Sequence, residues 1–210
     1  MDDPKGSVME LLNASLKSIR NEQGEIQTGP FLDTCRLTVK IIEKLGTAFY
    51  PAKADVSGNI ERLSKRASED PEGYELIFSI VTKEVEKGEH TGSSSATKGL
   101  LWLKRFLEFV VALLRHLDDP SASLYDAASK AYKECLQPFH GFLASTAFTV
   151  ILNLCGSRGS FEEAVGPQKV DGGSQFDASP RKTFVTDFTP HLQSIHTFLV
   201  SNCLDDPSKV

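Results

Sequence analysis

The sequence has no Lys/Arg-rich block. Its 23 Lys and Arg residues are outnumbered by 28 Asp and Glu residues, and the formal net charge is -5. Nucleic-acid binding draws most of its affinity from clustered positive charge that releases counterions, so this balance argues against a nucleic-acid partner. It also argues against membrane docking by charge alone.

Metal-binding and nucleophile patterns are also missing. The four cysteines are far apart and form no C-x-x-C pair, and the five histidines are equally scattered. We therefore expect reduced thiols in a cytoplasmic protein, with no metal ion and no cofactor. No Gly-x-Ser-x-Gly elbow occurs, which disfavours an enzyme. A lipid hydrolase that uses Asp55 and His140 remains the enzymatic alternative.

The sequence has no apolar run that is long enough to cross a bilayer. The most apolar stretch, residues 100–114, is interrupted by Lys104, Arg105 and Glu108, whereas a spanning helix needs about 20 apolar residues. The acidic first residues lack the apolar region of a signal peptide. We expect one cytoplasmic domain over residues 1–210, in which 100–114 is a buried core helix.

Apolar residues recur at helical spacing through nearly the whole sequence, and no alternating strand pattern of useful length appears. The fold class is therefore predicted to be all-α, with about eight helices. Asp70 and Pro71 are typical of a helix start, and Gly88 of a helix end. The predicted helices are approximately 8–23, 30–45, 52–66, 71–87, 96–117, 123–135, 138–154 and 181–204.

Aromatic residues are dominated by phenylalanine, with thirteen Phe against four Tyr and one Trp. Phe has no polar atom, so these residues could line a dry cavity without leaving a hydroxyl unpaired. An ordinary aromatic core explains the same count.

Three segments carry polar side chains that could form a site. Asp55, Asn59 and Arg62 have i, i+4, i+7 spacing and share a helix face. This face offers acceptors and donors that suit sugar hydroxyls, although a solvated helix face has the same pattern.

The second and third segments each contain one unusual residue. Trp102 is the sole Trp of the sequence and could stack on a sugar ring or fill the core. Lys104 and Arg105 are expected on the solvent side of its helix. His140 lies near the start of an apolar helix. It is either a core residue whose hydrogen bonds are made within the protein or a hydrogen-bond partner for a buried amide.

Together these segments resemble the glycolipid transfer protein family. The resemblance is carried by Lys-Ala-Asp-Val-Ser-Gly-Asn-Ile at 53–60, Leu-Trp-Leu-Lys-Arg at 101–105 and Phe-His-Gly-Phe-Leu-Ala-Ser at 139–145. It extends from about residue 24 to at least residue 148, and more weakly into the last helix. It implies a two-layer sandwich of α-helices around a hydrophobic lipid pocket.

The resemblance also implies a function and residue roles. The function would be non-enzymatic transfer of glycosphingolipids between membranes by a monomer that touches the membrane transiently. Asp55 would bind the ceramide amide N–H and a sugar hydroxyl, Asn59 and Arg62 would bind sugar hydroxyls, Trp102 would stack on the first sugar, and His140 would bind the amide carbonyl. The implied chain pocket comprises Phe49, Leu101, Phe106, Leu107, Phe109, Val110, Leu136, Phe142, Leu143, Ala147, Phe148 and Phe188.

Two departures from the family pattern affect these expectations. Phe142 stands where animal relatives have a membrane-contacting Trp, and residues 205–210 lack the aromatic residues that some relatives place near the headgroup. Two alternatives of the same fold stay open. One is a ceramide-1-phosphate carrier, which Arg62, Lys104 and Arg105 would favour, although Trp102 favours a sugar. The other is a sphingolipid sensor.

Overall fold

Nine α-helices and two 3-10 helices account for most of residues 6–166 and 177–210, the part of the chain described by the computed structural model. No β-strand longer than an isolated bridge occurs in this part, and the all-α prediction is confirmed. The helices are α1 (Val8–Leu16), α2 (Thr28–Leu45), α3 (Tyr50–Glu69), α4 (Ile77–Glu86), α5 (Ala96–His116), α6 (Leu124–Cys135), α7 (Phe142–Leu152), α8 (Arg158–Val165) and α9 (Ser179–Ser201). The 3-10 helices span Thr47–Phe49 and Gln137–Phe139.

Side-chain caps explain where several helices begin. Ser7 and Ser123 each form a capping box, with Glu10 and Asp126 respectively, in which each side chain accepts from the other residue's backbone. These reciprocal hydrogen bonds satisfy backbone donors that a helix start leaves unpaired. They define the first turns of α1 and α6.

The predicted start of α4 at Asp70 is wrong. Residues 70–74 form a turn, in which the Asp70 side chain accepts from the Gly73 backbone N–H, and α4 begins only at Ile77. The intervening segment pairs with the start of α2, where the Thr28 hydroxyl donates to the Tyr74 carbonyl and the Ile77 N–H donates to the Ile26 carbonyl. These long-range bonds hold the segment out of a helix.

The helix predicted from residue 138 to residue 154 is interrupted. His140 is extended, with φ -95° and ψ 131°, and α7 starts two residues later. The N–H of Gly141 donates to the backbone oxygen of Val210, so the Gly141 N–H is used outside any helix. Most of the predicted loop between Gly166 and Ser179 lies outside the described residues.

Helix α5 lies at the centre of the fold and packs on α2, α3, α4, α6 and α9. Lys104 and Arg105 are consequently buried, with 4% and 1% exposure, so the prediction that they face solvent is wrong. Both charges are paired, Lys104 with Glu108 and Arg105 with Asp205, at 3.1 Å each. A buried charge is otherwise expensive, and these partners compensate it.

A buried carboxylate fixes the first turn of α5. Glu84, 2% exposed, accepts hydrogen bonds from the backbone N–H groups of Ala96 and Thr97, both at 2.8 Å, and from the hydroxyls of Ser95 and Thr97. Arg66 adds an ion pair at 3.1 Å. A negative charge at a helix N-terminus is favourable because it meets unpaired N–H groups and the positive end of the helix dipole.

No helix within the described ranges is long and apolar enough to span a membrane.

Candidate functional site

A cavity of about 500 Å³ opens between α3, α5 and α7. Its wall is mainly apolar, and its polar residues gather on α3, on the first half of α5 and at the start of the 140–151 segment. The lining residues are Ile42, Phe49, Pro51, Ala52, Asp55, Val56, Asn59, Arg62, Lys98, Trp102, Phe106, Phe109, Leu136, His140, Ala144, Ala147, Phe148, Ile151 and Val210.

Phe148 is the centre of an aromatic cluster in this wall. Its ring is stacked on Tyr132, with centroids 4.3 Å apart, and it meets Phe49 and Phe109 edge to face at 6.2 and 6.0 Å. Edge-to-face and offset rings are the favourable aromatic arrangements. This part of the wall therefore presents hydrocarbon surface without unpaired polar atoms.

The polar residues of α3 form one connected row. Arg62 Nη1 donates to Asn59 Oδ1 at 3.3 Å, and Asn59 Nδ2 donates to the Asp55 carbonyl at 3.1 Å and lies 3.4 Å from Asp55 Oδ2. Within the described ranges, no protein group hydrogen-bonds to Asp55 Oδ1. The row thus offers a free carboxylate oxygen and unused guanidinium donors at the cavity.

Helices α3 and α5 approach closely at this row. A Cβ atom on Gly99 would lie 3.4 Å from both Arg62 Cδ and the Asn59 carbonyl oxygen. Gly99 and Trp102 are three residues apart on α5 and therefore lie on neighbouring positions of one face. The close approach brings the α3 row and Trp102 to the same cavity.

Two aromatic rings complete the polar end of the cavity. The Trp102 and His140 ring centroids are 6.1 Å apart, with an interplanar angle of 28°. The Tyr132 hydroxyl lies 3.1 Å from His140 Nδ1. All five residues predicted for headgroup binding therefore line one cavity, with Asp55, Asn59 and Arg62 on α3, Trp102 on α5 and His140 just before α7.

The surroundings shift the protonation equilibria of the site. Burial raises the pKa of Asp55 above its usual value, although the positive charge of Arg62, and that of His140 when it is protonated, oppose this shift. Burial lowers the pKa of His140 below its usual range, and Asp55 opposes that shift. Burial also raises the pKa of Tyr132. At neutral pH the imidazole and the phenol are therefore both uncharged.

Six of the residues predicted for the chain pocket line the cavity, and six do not. Those that line it are Phe49, Phe106, Phe109, Leu136, Ala147 and Phe148. Helix geometry explains two of the others. Lys98, Trp102, Phe106 and Phe109 share one face of α5, whereas Leu107 lies about 100° further round than Phe106, and Val110 the same angle beyond Phe109. Both are fully buried in the core instead.

The other four residues also lie elsewhere. Phe188 is fully buried in α9, where its ring packs against Phe184 at 5.0 Å, because α9 packs on α1 and α5 rather than at the cavity. Leu101 lines a neighbouring cavity of about 440 Å³. Phe142 and Leu143 are 84% and 81% exposed on the first turn of α7 and point away from the cavity.

Several residues of the site are not predicted by the sequence. Tyr132 and Lys98 gave no signal, because neither belongs to a motif and their role depends on which helices meet. Ala144 and Ile151 lie three residues before and four residues after the predicted Ala147 on α7, so their shared face could have been found once the helix start was known.

Comparison with known proteins gives consistent matches over most of the chain. Residues 26–167 match the model of a family described as glycolipid transfer protein. Glycolipid transfer protein 1 of Arabidopsis thaliana is 34% identical over 203 residues, which cover 96% of this chain and 98% of the relative. Pleckstrin homology domain-containing family A member 8 of Danio rerio is 34% identical over 148 residues, which cover 70% of this chain but 27% of that protein.

Solved structures agree with the sequence matches. A structure of FAPP2, described as selecting simple glycosphingolipids with the GLTP fold, superposes with a TM-score of 0.87 at 26% identity and covers 97% of this chain and 100% of that chain. Arabidopsis ACD11 with bound ceramide-1-phosphate superposes with a TM-score of 0.81, covering 94% of this chain and 98% of that chain. At 19% identity this likeness shows the fold alone. The fold that the sequence resemblance implies is thereby confirmed.

Proposed function

The chain belongs to the glycolipid transfer protein family, and from that premise we propose that it carries single glycosphingolipids between membranes without making or breaking a bond. The main support for this proposal is one apolar cavity that has a carboxylate, an amide, a guanidinium, an indole and an imidazole at its polar end. A lipid with two long chains leaves a bilayer slowly, because each CH₂ exposed to water costs about 0.8 kcal/mol. A dry protein cavity lowers this cost by replacing the bilayer.

The α3 row and Trp102 are proposed to bind the sugar. The free Oδ1 of Asp55 accepts from the ceramide amide N–H and from a sugar hydroxyl, while Asn59 and Arg62 bind further hydroxyls. The flat face of Trp102 stacks on the apolar C–H face of the first sugar. An unmatched buried polar group costs about 1–3 kcal/mol, so this row selects the headgroup as well as binding it.

His140 is proposed to bind the amide carbonyl of the ceramide. We propose that the uncharged Tyr132 hydroxyl is the donor to Nδ1 of His140, which lies 3.1 Å away. Nε2 then carries the proton and is the donor for a buried carbonyl oxygen. With this donor direction, the tautomer is set before the ligand arrives.

The outer face of α7 is proposed to contact the membrane. It exposes several large apolar side chains, which stand on the helix that also contributes Ala144, Ala147, Phe148 and Ile151 to the cavity wall. Contact through this face would place the cavity beside the bilayer surface. The exposed side chains are Phe142, Leu143 and Val150 on the helix, and Leu154 lies two residues beyond its end.

The domain organisation, the oligomeric state and the location of the protein are also part of the proposal. One continuous hydrophobic core joins residues from α1 to α9, which supports a single domain over residues 1–210. We infer a monomeric protein that works at the cytoplasmic side of membranes.

The proposal is tested by transfer of a fluorescent monoglycosylceramide between vesicles. Asp55→Val removes the free carboxylate, and Trp102→Ala removes the stacking face, so both variants are expected to lose transfer and keep their helical circular dichroism. Asp33→Val is a matched control, because Asp33 is exposed and on α2. Transfer by Asp55→Val or Trp102→Ala at the wild-type rate would refute the site.

Two further measurements test the ceramide-1-phosphate carrier and the enzyme as alternatives. Ceramide-1-phosphate that is transferred in preference to the glycolipid would replace the proposed cargo. Free sugar or ceramide released during incubation would show an enzyme instead.

A further inference from the structure

A buried arginine lies directly behind the polar end of the cavity. Arg105 is 1% exposed, one turn along α5 from Leu101 and three residues from Trp102. Arginine is almost never fully buried unless it is paired. Replacing a buried ion pair by apolar residues is often neutral or stabilising, so core stability alone is a weak reason for an arginine here.

The guanidinium contacts three elements that surround the site. Its Cζ atom lies 3.5 Å from the ring centroid of Phe139, the residue before His140, and 5.0 Å from that of Trp102. Its Nη2 group donates to Asp205 Oδ1 at 3.1 Å and to the Asp206 carbonyl. Arg105 therefore connects α5, the segment before α7, and residues 205–210, which we call the strap.

The far end of the strap lies at the cavity. The N–H of Val210 donates to the Phe139 carbonyl at 3.0 Å, and the N–H of Gly141 donates to the backbone oxygen of Val210 at 2.6 Å. A Cβ atom on Gly141 would lie 3.0 Å from that oxygen, so a glycine suits this close approach. Val210 and Trp102 both line the lipid cavity and the neighbouring 440 Å³ cavity under the strap.

We propose that Arg105 is a positioning residue of the headgroup site, which holds the Trp102 indole and the strap in the arrangement that binds a sugar. The proposal rests on the proposed function. Arg105 acts through its neighbours rather than on the lipid. Its planar fork stacks on aromatic faces and binds the strap at the same time, which the ammonium group of a lysine cannot do. A stacking platform that is fixed beforehand loses less conformational entropy when the sugar binds.

The test compares two ligands that differ only by the sugar. Binding of a monoglycosylceramide and of the corresponding ceramide, each in phosphatidylcholine vesicles, is measured for wild type, Arg105→Met and Arg105→Lys. We expect Arg105→Met to weaken glycosylceramide binding about tenfold and ceramide binding less than about twofold. We expect Arg105→Lys to retain only part of the wild-type preference for the glycosylceramide over ceramide. Because Trp102 is the only Trp, its emission and its quenching by acrylamide report on the site, and quenching rises in the lipid-free Arg105→Met variant.

Two more variants keep the test decisive. Asp205→Ala removes the partner of Arg105 at a more exposed position, so it serves even if Arg105→Met fails to fold. We expect it to lower the ratio of glycosylceramide affinity to ceramide affinity, called the ligand ratio, by about threefold. Arg181→Met is the matched control, because Arg181 is 3% exposed and pairs with Asp118 and Glu162 at a distance from the cavity. It lowers thermal stability and leaves the ligand ratio unchanged.

The outcomes distinguish this inference from the proposed function. If wild type does not bind the glycosylceramide better than ceramide, the proposed function fails and this inference fails with it. If wild type discriminates, the inference is overturned by wild-type ratios and wild-type Trp102 quenching in a folded Arg105→Met, by an unchanged ratio in Asp205→Ala, or by an equal change of ratio in Arg181→Met.

Discussion

Replacing Glu84 by Gln tests how firmly the helix that carries Trp102 is held. Glu84 Oε1 accepts from the Ala96 N–H and pairs with Arg66, while Oε2 accepts from Ser95 Oγ and from both donors of Thr97. Gln has one acceptor oxygen and one NH₂ group. Whichever way the amide is oriented, its NH₂ faces at least two donors, and the charge that complements Arg66 is gone.

The magnitude follows from these contacts. Breaking a buried charge pair by changing one partner costs about 3–5 kcal/mol. For a chain of this size, 1 kcal/mol corresponds to about 2–4 °C in the midpoint of thermal unfolding. We therefore expect Glu84→Gln to lower Tm by about 6–20 °C.

The assay is thermal unfolding followed by circular dichroism at pH 7, with Glu86→Gln as the control. Glu86 is an exposed residue of the same helix, so its substitution is expected to change the free energy of unfolding by less than about 0.5 kcal/mol. A Glu84→Gln variant whose Tm stays within about 2 °C of wild type would refute the assignment of Glu84 as the cap of α5.

The pH dependence provides a second check of the same assignment. Burial raises the pKa of Glu84, but the hydrogen bonds from Thr97, Ala96 and Ser95 outweigh burial, and the net pKa lies below the usual value of 4.5. The unfolded state then binds more protons than the folded state between the two pKa values, so stability is lost as the pH falls. We expect the Tm difference between wild type and Glu84→Gln to have its full size above pH 4.5 and to become smaller as the pH falls below 4.5.

Two further predictions concern the membrane face and the histidine. Phe142→Ser combined with Leu143→Ser should reduce vesicle adsorption and the transfer rate, because two largely exposed apolar side chains are lost, whereas glycolipid affinity should persist. Val200→Ser on α9 is the control, and equal effects of the two changes would exclude α7 as the docking face. Tyr132→Phe removes the hydroxyl at His140 Nδ1 and should weaken glycolipid binding about fivefold, or about 1 kcal/mol, in equilibrium titrations. Unchanged affinity would contradict the proposed tautomer.

The sequence alone determined the helical class and the composition of the polar row. The 3.6-residue period predicts which side chains share a helix face, and the face of Asp55, Asn59 and Arg62 is present in the structure as a connected row. The same period could have separated Phe106 and Phe109 from Leu107, because helix geometry fixes their relative angles. Three short motifs indicated the family before any contact was known.

Only the tertiary structure decided which neighbour covers each face. Lys104 and Arg105 look like surface residues in the sequence, yet α5 is enclosed by five other helices, and Arg105 is covered by Asp205, 100 positions further along the chain. The family resemblance implies that Phe142 and Leu143 line the chain pocket, yet they are exposed. A local pattern fixes the direction of a side chain relative to its own helix, whereas burial depends on segments that are distant in sequence, and no helical period encodes them.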